Sequence, residues 1–215
     1  MLVIKESQSD AVEKACKFLH LGKAISFATD TVYGIAVDAS NFKAVEDLYK
    51  IKKRDTKKPI AIFLKDLRLA KEIFYFDDVA QKIAEKFLPG KLTLVLKTKA
   101  ESVKKLAKNL NQNSDEFLGF RIVENNFIQV LLKKFDGILA VTSANLSGDK
   151  PANSSQEVKK YFAKSSLVAL LIEGENSDLK NSEASTVVKI FNQKIDILRR
   201  GAIKESTILN FHESF

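Results

Sequence analysis

Cysteine and histidine are nearly missing from this chain. A single cysteine, Cys16, excludes an intramolecular disulfide and a multi-cysteine metal cluster. It falls in an apolar helical pattern with Ala11, Val12, Ala15 and Leu19, so packing is its expected role. The two histidines, His20 and His212, stand at the end of that pattern and near the C-terminus, and neither is a candidate for catalysis. No apolar run approaches the roughly 18–20 residues of a membrane span. Met1-Leu2-Val3-Ile4 leads straight into Lys5-Glu6, which does not read as a secretory leader. The expectation is a cytoplasmic protein without membrane contact. The G-x-x-x-x-G-K-[ST] phosphate loop, the G-x-G-x-x-G fingerprint, H-E-x-x-H and the G-x-S-x-G elbow are all absent. A nucleotide, if bound, has to be held by another route.

In bulk the chain is ordinary. Its 215 residues suit one domain, expected to span 1–215, and 45% hydrophobic with 29% charged content suits a globular core that needs no staples. Lys plus Arg number 35 against 27 Asp plus Glu, a net charge of +8. That balance fits nucleic acid or phosphorylated ligands, and also many cytosolic proteins that bind neither. The basic residues crowd at Lys50, Lys52, Lys53, Arg54, Lys57 and Lys58, with only Asp55 against them.

The hydrophobic pattern alternates strands and helices. Helices are expected over 9–21, from about 41 to 51, over 66–74, 78–87 and 126–135, and from a capping box at Ser154-Ser155-Gln156-Glu157 to Phe162. Strands are expected at 24–27, 59–64, 92–96, 117–123, 138–141, 168–172, 186–190 and 194–198. Residues 99–116, charged and rich in asparagine, read as a mobile segment, and 204–215 as a C-terminal tail. The alternation argues for an α/β fold with helices covering a sheet.

Between these elements run short polar motifs: Thr29-Asp30-Thr31-Val32-Tyr33-Gly34, Lys52-Lys53-Arg54 before Lys58-Pro59, Leu88-Pro89-Gly90-Lys91-Leu92-Thr93, Arg121, Ser143-Ala144-Asn145-Leu146-Ser147-Gly148, Ser185-Thr186-Val187-Val188, and Leu198-Arg199-Arg200-Gly201-Ala202-Ile203. Hydroxyls, amides and cations at loop positions suit a phosphorylated, carboxylated ligand. Lys52 and Arg54 lie two apart, so in an extended segment both point to one side. Taken singly each motif has a plainer reading: a solvated basic helix end, a strand-end hydroxyl, a surface ion pair, a polar Ser-Gly turn.

In their joint order and spacing, from the first helix to about residue 203, the motifs resemble the YrdC-like family, and the chain resembles its short, single-domain form. The resemblance implies a twisted mixed sheet with flanking helices around a concave basic cavity. It implies an L-threonylcarbamoyladenylate synthase, a nucleotidyltransferase that converts L-threonine, bicarbonate and ATP to threonylcarbamoyl-AMP and pyrophosphate. The group then passes to adenosine 37 of tRNA through a partner threonylcarbamoyl transferase. By the same resemblance Lys52 and Arg54 are catalytic and hold the triphosphate. Thr29, Arg121, Ser143 and Ser185 meet the threonine, while Asn145 and Arg199 join Lys52 and Arg54 at the nucleotide. Mg²⁺ arrives with ATP, held by phosphates and water with no protein ligand assigned; Asp30 is a candidate helper at one remove. Ala28, Asp55 and Val123 stand where relatives carry proline, and Phe63 where some carry histidine; none of these changes removes a group assigned above. Two other readings remain beside this one: a module that binds tRNA or double-stranded RNA without chemistry, and a diverged paralogue that has lost the activity.

Overall fold

The computed structural model describes residues 1–111, 116–174, 179 and 182–214. The first third of the chain contains β1 (Leu2–Lys5), α1 (Ala11–His20), β2 (Ala24–Phe27), β3 (Gly34–Asp38), α2 (Phe42–Lys52) and β4 (Ala61–Phe63). Helices α3 (Leu67–Ile73) and α4 (Asp78–Phe87) lead to β5 (Leu92–Lys97), the short α5 (Ala100–Val103), β6 (Phe117–Arg121), α6 (Asn126–Phe135) and β7 (Leu139–Ser143). The last third adds α7 (Ser155–Phe162), β8 (Val168–Glu173), β9 (Thr186–Phe191), β10 (Lys194–Arg199) and α8 (Glu205–Glu213).

Short polar side chains set the helix starts. Asn41, Asp66, Asp77, Asn125 and Ser154 each accept a backbone N–H two or three residues into the helix that follows. The capping-box spacing is realised with a shift of one residue: Ser154 accepts from Glu157 N at 3.2 Å, and the Glu157 carboxylate accepts from Asn153 N, just before the cap.

Among the described residues ten strands form one mixed sheet in the order β1-β8-β2-β3-β7-β4-β6-β5-β9-β10. One face is packed by α2, α3, α4, α7 and α8 around Ile35, Val37, Ile62, Leu94, Phe120 and Val188. On the opposite face α1 and α6 cover only the half that carries Ile25, Phe27, Ala36, Val141 and Leu170. Phe63 of β4 borders this cluster, and among the described residues no helix covers β6, β5, β9 and β10 there. This half-covered face is what makes room for a site.

Three expectations change. Leu2–Lys5 and Gly34–Asp38 are strands that the pattern did not reveal, because each is short and the second begins inside a loop motif. Residues 205–213 are a helix, not a tail, with Ile208 fully buried and Phe211 edge-on to Phe87 at 5.7 Å. The stretch 99–116 is read as mobile from its composition, and 112–115 of it lie outside the described residues. Its described part is pinned: Ala107 N donates to Ala39 O at 2.8 Å, Asn109 Nδ2 to Phe42 O at 2.9 Å, and Leu110 O takes Ile60 N at 3.2 Å.

Because Ile208 fills a closed space between α8 and the sheet, Ile208→Ala should cost about 2–4 kcal/mol of unfolding free energy. Urea denaturation measures this, and a loss below ~0.5 kcal/mol would show that α8 is a detachable appendage.

Candidate active site

The bare half of the sheet forms the floor of a cavity of about 450 Å³. Its residues lie in rows across the strands. Phe63 of β4 pairs with Arg121 of β6, and the β5–β6 register places Thr93 beside them; Thr93 faces Val187 of β9, which faces Arg199 of β10. The next row holds Val141, Ala61, Gly119, Val95 and Lys189. Small side chains in its middle keep the floor low: a Cβ on Gly119 would already touch Ala61, Thr93 and Val95 at 3.4–3.6 Å. Arg54, Arg121, Lys189 and Arg199 line the space together with Thr29, Thr31, Ser143 and Ser185, and among the described residues no carboxylate is part of the lining.

At one end the loop after β2 is locked by its own hydroxyls. Thr29 Oγ1 donates to Val32 O at 2.7 Å and accepts from Thr31 N and Val32 N, at 3.0 and 3.2 Å. Its oxygen therefore shapes the loop, and Thr29 meets the cavity as part of that turn. Arg121 is 4% exposed. Its Nε donates to Gly90 O at 2.9 Å, one terminal nitrogen to Thr31 Oγ1 at 2.8 Å, and the other to Asp30 Oδ1 at 2.5 Å. Three of its five N–H groups are thus engaged, which leaves two for a ligand. Burial pushes the guanidinium pKa down and Asp30 opposes this; an arginine stays charged under such a shift. Asp30 Oδ2 is buried without a partner among the described residues.

At the other end the expected one-sided pair of Lys52 and Arg54 is not extended. Lys52 is the last residue of α2, Lys53 turns in the left-handed region at φ 47°, and Arg54 leaves in a new direction. The two side chains diverge. Arg54 reaches the cavity, held by Lys58 O at 3.2 Å and Pro59 O at 3.0 Å. Lys52 goes under the wall: it is 1% exposed, and Nζ donates to Ser143 O at 2.6 Å and Asn145 Oδ1 at 2.8 Å. Burial, assisted by Arg54, pushes its pKa down to about 7, against a weaker pull from Asp149. Asn145 is fully engaged. Its Oδ1 also accepts from Ser143 Oγ at 2.5 Å, and its Nδ2 donates to Leu146 O and Asp149 O at 2.7 and 2.8 Å. In this arrangement Asn145 has no group left for a nucleotide and braces Lys52 and Ser143 instead.

The third corner joins β5, β9 and β10. Thr93 and Ser185 share a hydroxyl–hydroxyl bond of 2.8 Å, while Arg199 grips Ser185 O at 2.7 and 3.1 Å and Ser185 Oγ at 3.0 Å. Gly201 makes this close approach feasible, since a Cβ there would fall 2.2 Å from Ala184 O. Burial lowers the Arg199 pKa, and Arg121 and Arg54 lower it further, so the three guanidinium groups act on one another across the cavity. Thr93 and Lys189 were not singled out from the sequence. Thr93 belongs to a quoted motif but reads as strand; Lys189 shows itself only through its alternation with Val187.

The Lys52 geometry sets a pH dependence. Between pH 7 and 10.5 the unfolded chain holds a proton on this amine that the folded chain has released. The folded state therefore gains stability as pH rises through that window. Denaturation midpoints at pH 7 and pH 9 should diverge, wild type rising relative to Lys52→Met. Equal slopes in the two proteins would contradict the depressed pKa. Asn145→Ala strips an acceptor from Lys52 and donors from two carbonyls, and should cost about 1–3 kcal/mol in the same assay.

The family Sua5_yciO_yrdC, described as "Telomere recombination", matches residues 17–201. A relative in Methanocaldococcus jannaschii that carries a provisional threonylcarbamoyl-AMP synthase name is 34% identical over 199 residues, covering 93% of this chain and 89% of that protein. The human threonylcarbamoyl-AMP synthase is 34% identical over 204 residues, covering 93% of this chain and 70% of its own length. Among solved structures, Pyrococcus abyssi Sua5 complexed with L-threonine shares the fold, with a TM-score of 0.85 at 23% identity, over 98% of this chain and 60% of that one. With a family match over most of its length and relatives at this identity, the chain belongs to the Sua5/YciO/YrdC family.

Proposed function

We infer that this chain is a threonylcarbamoyl-AMP synthase, acting on L-threonine, bicarbonate and ATP. The observation that carries the reading is the cavity itself: three guanidinium groups and a set of fixed hydroxyls converge on a small-floored space, with the Lys52 amine just behind its wall. Relatives of that name match 93% of the chain. We read the space as the concave basic cavity that the resemblance implies.

The chemistry asks for alignment and charge. The threonine nitrogen adds to the carbon of bicarbonate and water leaves, giving an N-carboxylate. Its oxygen attacks the α-phosphorus of ATP, the bond to the β,γ-diphosphate breaks, and pyrophosphate departs with the electron pair. No covalent intermediate on the protein is required, in keeping with the lack of an activated nucleophile in the cavity. Arg121, with two free N–H groups and a fixed plane, takes the threonine carboxylate. Ser185 and Thr93 sit where the substrate hydroxyl can join their bond. Arg54 lies along the phosphates, and Arg199, opposite Arg121 in the row, meets charge on the adenylate. Phosphate arrival next to Lys52 favours its ammonium form, so binding restores a proton that burial had removed.

Mg²⁺ enters with ATP as part of the substrate. Among the described residues the lining carries cations and no carboxylate, and Asp30 nearby has one oxygen on Arg121 and the other buried without a partner, so the reading leaves the ion to the substrate. Phosphate oxygens and water hold it. Handover to tRNA and its transferase would use the exposed cations Lys53, Lys57 and Lys58 at the cavity rim. A cytoplasmic location accords with a tRNA substrate, and no helix among the described residues is long and apolar enough to cross a membrane. An RNA-binding module needs a basic surface but not the Thr93–Ser185–Arg199 or Lys52–Ser143–Asn145 networks. A paralogue without activity would have no need to keep both intact.

The deciding experiment incubates the purified protein with MgATP and bicarbonate, with and without L-threonine, and follows pyrophosphate and the product mass. Threonine-dependent pyrophosphate with a threonylcarbamoyl-AMP mass is expected, and Arg54→Ala should lower the rate by about a hundredfold or more. Folded protein that binds neither ATP nor threonine would overturn the reading.

A further inference from the structure

Lys189 belongs to none of the roles assigned so far. It follows Val187 at strand spacing on β9, so both face the cavity. Its ammonium lies 3.7 Å from the centroid of the Phe117 ring, and Phe117 in turn stands edge-on to Phe191 at 5.2 Å. Among the described residues no carboxylate pairs with it; Asp196, directly opposite on β10, forms no ion pair with it. An ammonium on an aromatic face is kept charged and in place without a counter-ion. Its free side remains open to an anion.

The register says which anion. Ile62 of β4 lies beside Phe120 of β6, so Pro59 and Phe117, each three residues earlier, mark the same end of the two strands. Pro59 O holds Arg54, and Phe117 holds Lys189. The two cations therefore flank one end of the cavity. Arg121 stands four residues beyond Phe117, roughly 13 Å along the strand. A ligand with a carboxylate at Arg121 and a polyanion at the far end would span this distance.

We propose that Lys189 is a ligand-binding residue that, together with Arg54, holds the terminal phosphates of the nucleotide and the pyrophosphate that leaves. The proposal rests on the synthase reading for the nucleotide, while the phosphate site itself is defined by the two cations. Lysine supplies a point charge on a flexible stem, suited to following the leaving group outward after Arg54 has fixed it.

Three variants test it. Lys189→Met keeps an apolar stem on Phe117 without charge, Lys189→Glu reverses the charge, and Lys189→Arg restores it. For Lys189→Met the KM for ATP and the inhibition constant for pyrophosphate should both rise about tenfold, and further for Lys189→Glu. Lys189→Arg should recover most of the loss, and the KM for threonine should stay within about twofold throughout. Values for ATP and pyrophosphate within about twofold of wild type in both Lys189→Met and Lys189→Glu would overturn the proposal. So would an equal weakening of threonine and ATP, which marks general damage to the wall. Calorimetric titration of inorganic pyrophosphate into wild type and Lys189→Met needs no turnover. Binding that depends on Lys189 in a protein without synthase activity would uphold the phosphate site and remove the synthase reading. Turnover with pyrophosphate binding indifferent to Lys189 would remove this proposal alone.

Discussion

The Lys52 amine ties the end of α2 to the loop after β7, bonding Ser143 O and Asn145 Oδ1 across 91 and 93 positions of sequence. Much of the site hangs from this junction. Ser143 cannot move without losing the amine at its carbonyl and Asn145 at its hydroxyl. Asn145 cannot turn without freeing Leu146 O and Asp149 O. Ser147 N bonds Lys52 O at 2.8 Å, so the loop is held by the backbone of the same residue. A network with every member satisfied is rigid, and one with a member removed leaves buried groups unpaired. The wall around Ser143 is therefore rigid.

The same logic explains why so much positive charge can be gathered around one space. Each cation carries its own neutral or anionic support: Arg121 has Asp30, Thr31 and Gly90; Arg54 has two carbonyls; Arg199 has Ser185; Lys189 has an aromatic face. Desolvation still weakens the charged forms, most visibly at Lys52. Burial acts in the same direction on Arg54, Arg121 and Arg199.

Much of the fold and site was legible in the sequence, but unevenly. Helices with a capping residue and an apolar stripe were plain, as at Ser154 or Asn125, because local bonds and periodicity both mark them. Gly34–Asp38 was not: it is five residues long and shares its glycine with a loop motif, and its place between β2 and β7 is settled by pairing far along the chain. The tail reading of 204–215 failed because a helix of this length is held by distant partners such as Phe87. At the site, residue types were readable and directions were not. Two residues apart, Lys52 and Arg54 suggested one face, but the left-handed turn at Lys53 sends one under the wall and the other into the cavity. Thr93 closes a motif but reads as strand, Lys189 lies in none, and sheet register brings both to the site.

The plain reading of the basic cluster, cations gathered at a helix C-terminus to complement its dipole, fits the place of Lys52 in the chain. Lys52 ends α2, and the C-terminal end of a helix favours positive charge. That field offsets some of the desolvation that would otherwise exclude an amine from a position 1% exposed. Arg54, two residues past the helix, is held by Lys58 O and Pro59 O. The turn at Lys53 thereby separates two cations of different kinds. One is internal and of adjustable protonation, held by Ser143 O and Asn145; the other faces the cavity and is permanently charged. Adjacent in sequence, they occupy different layers of the wall, and the left-handed residue between them makes that division possible.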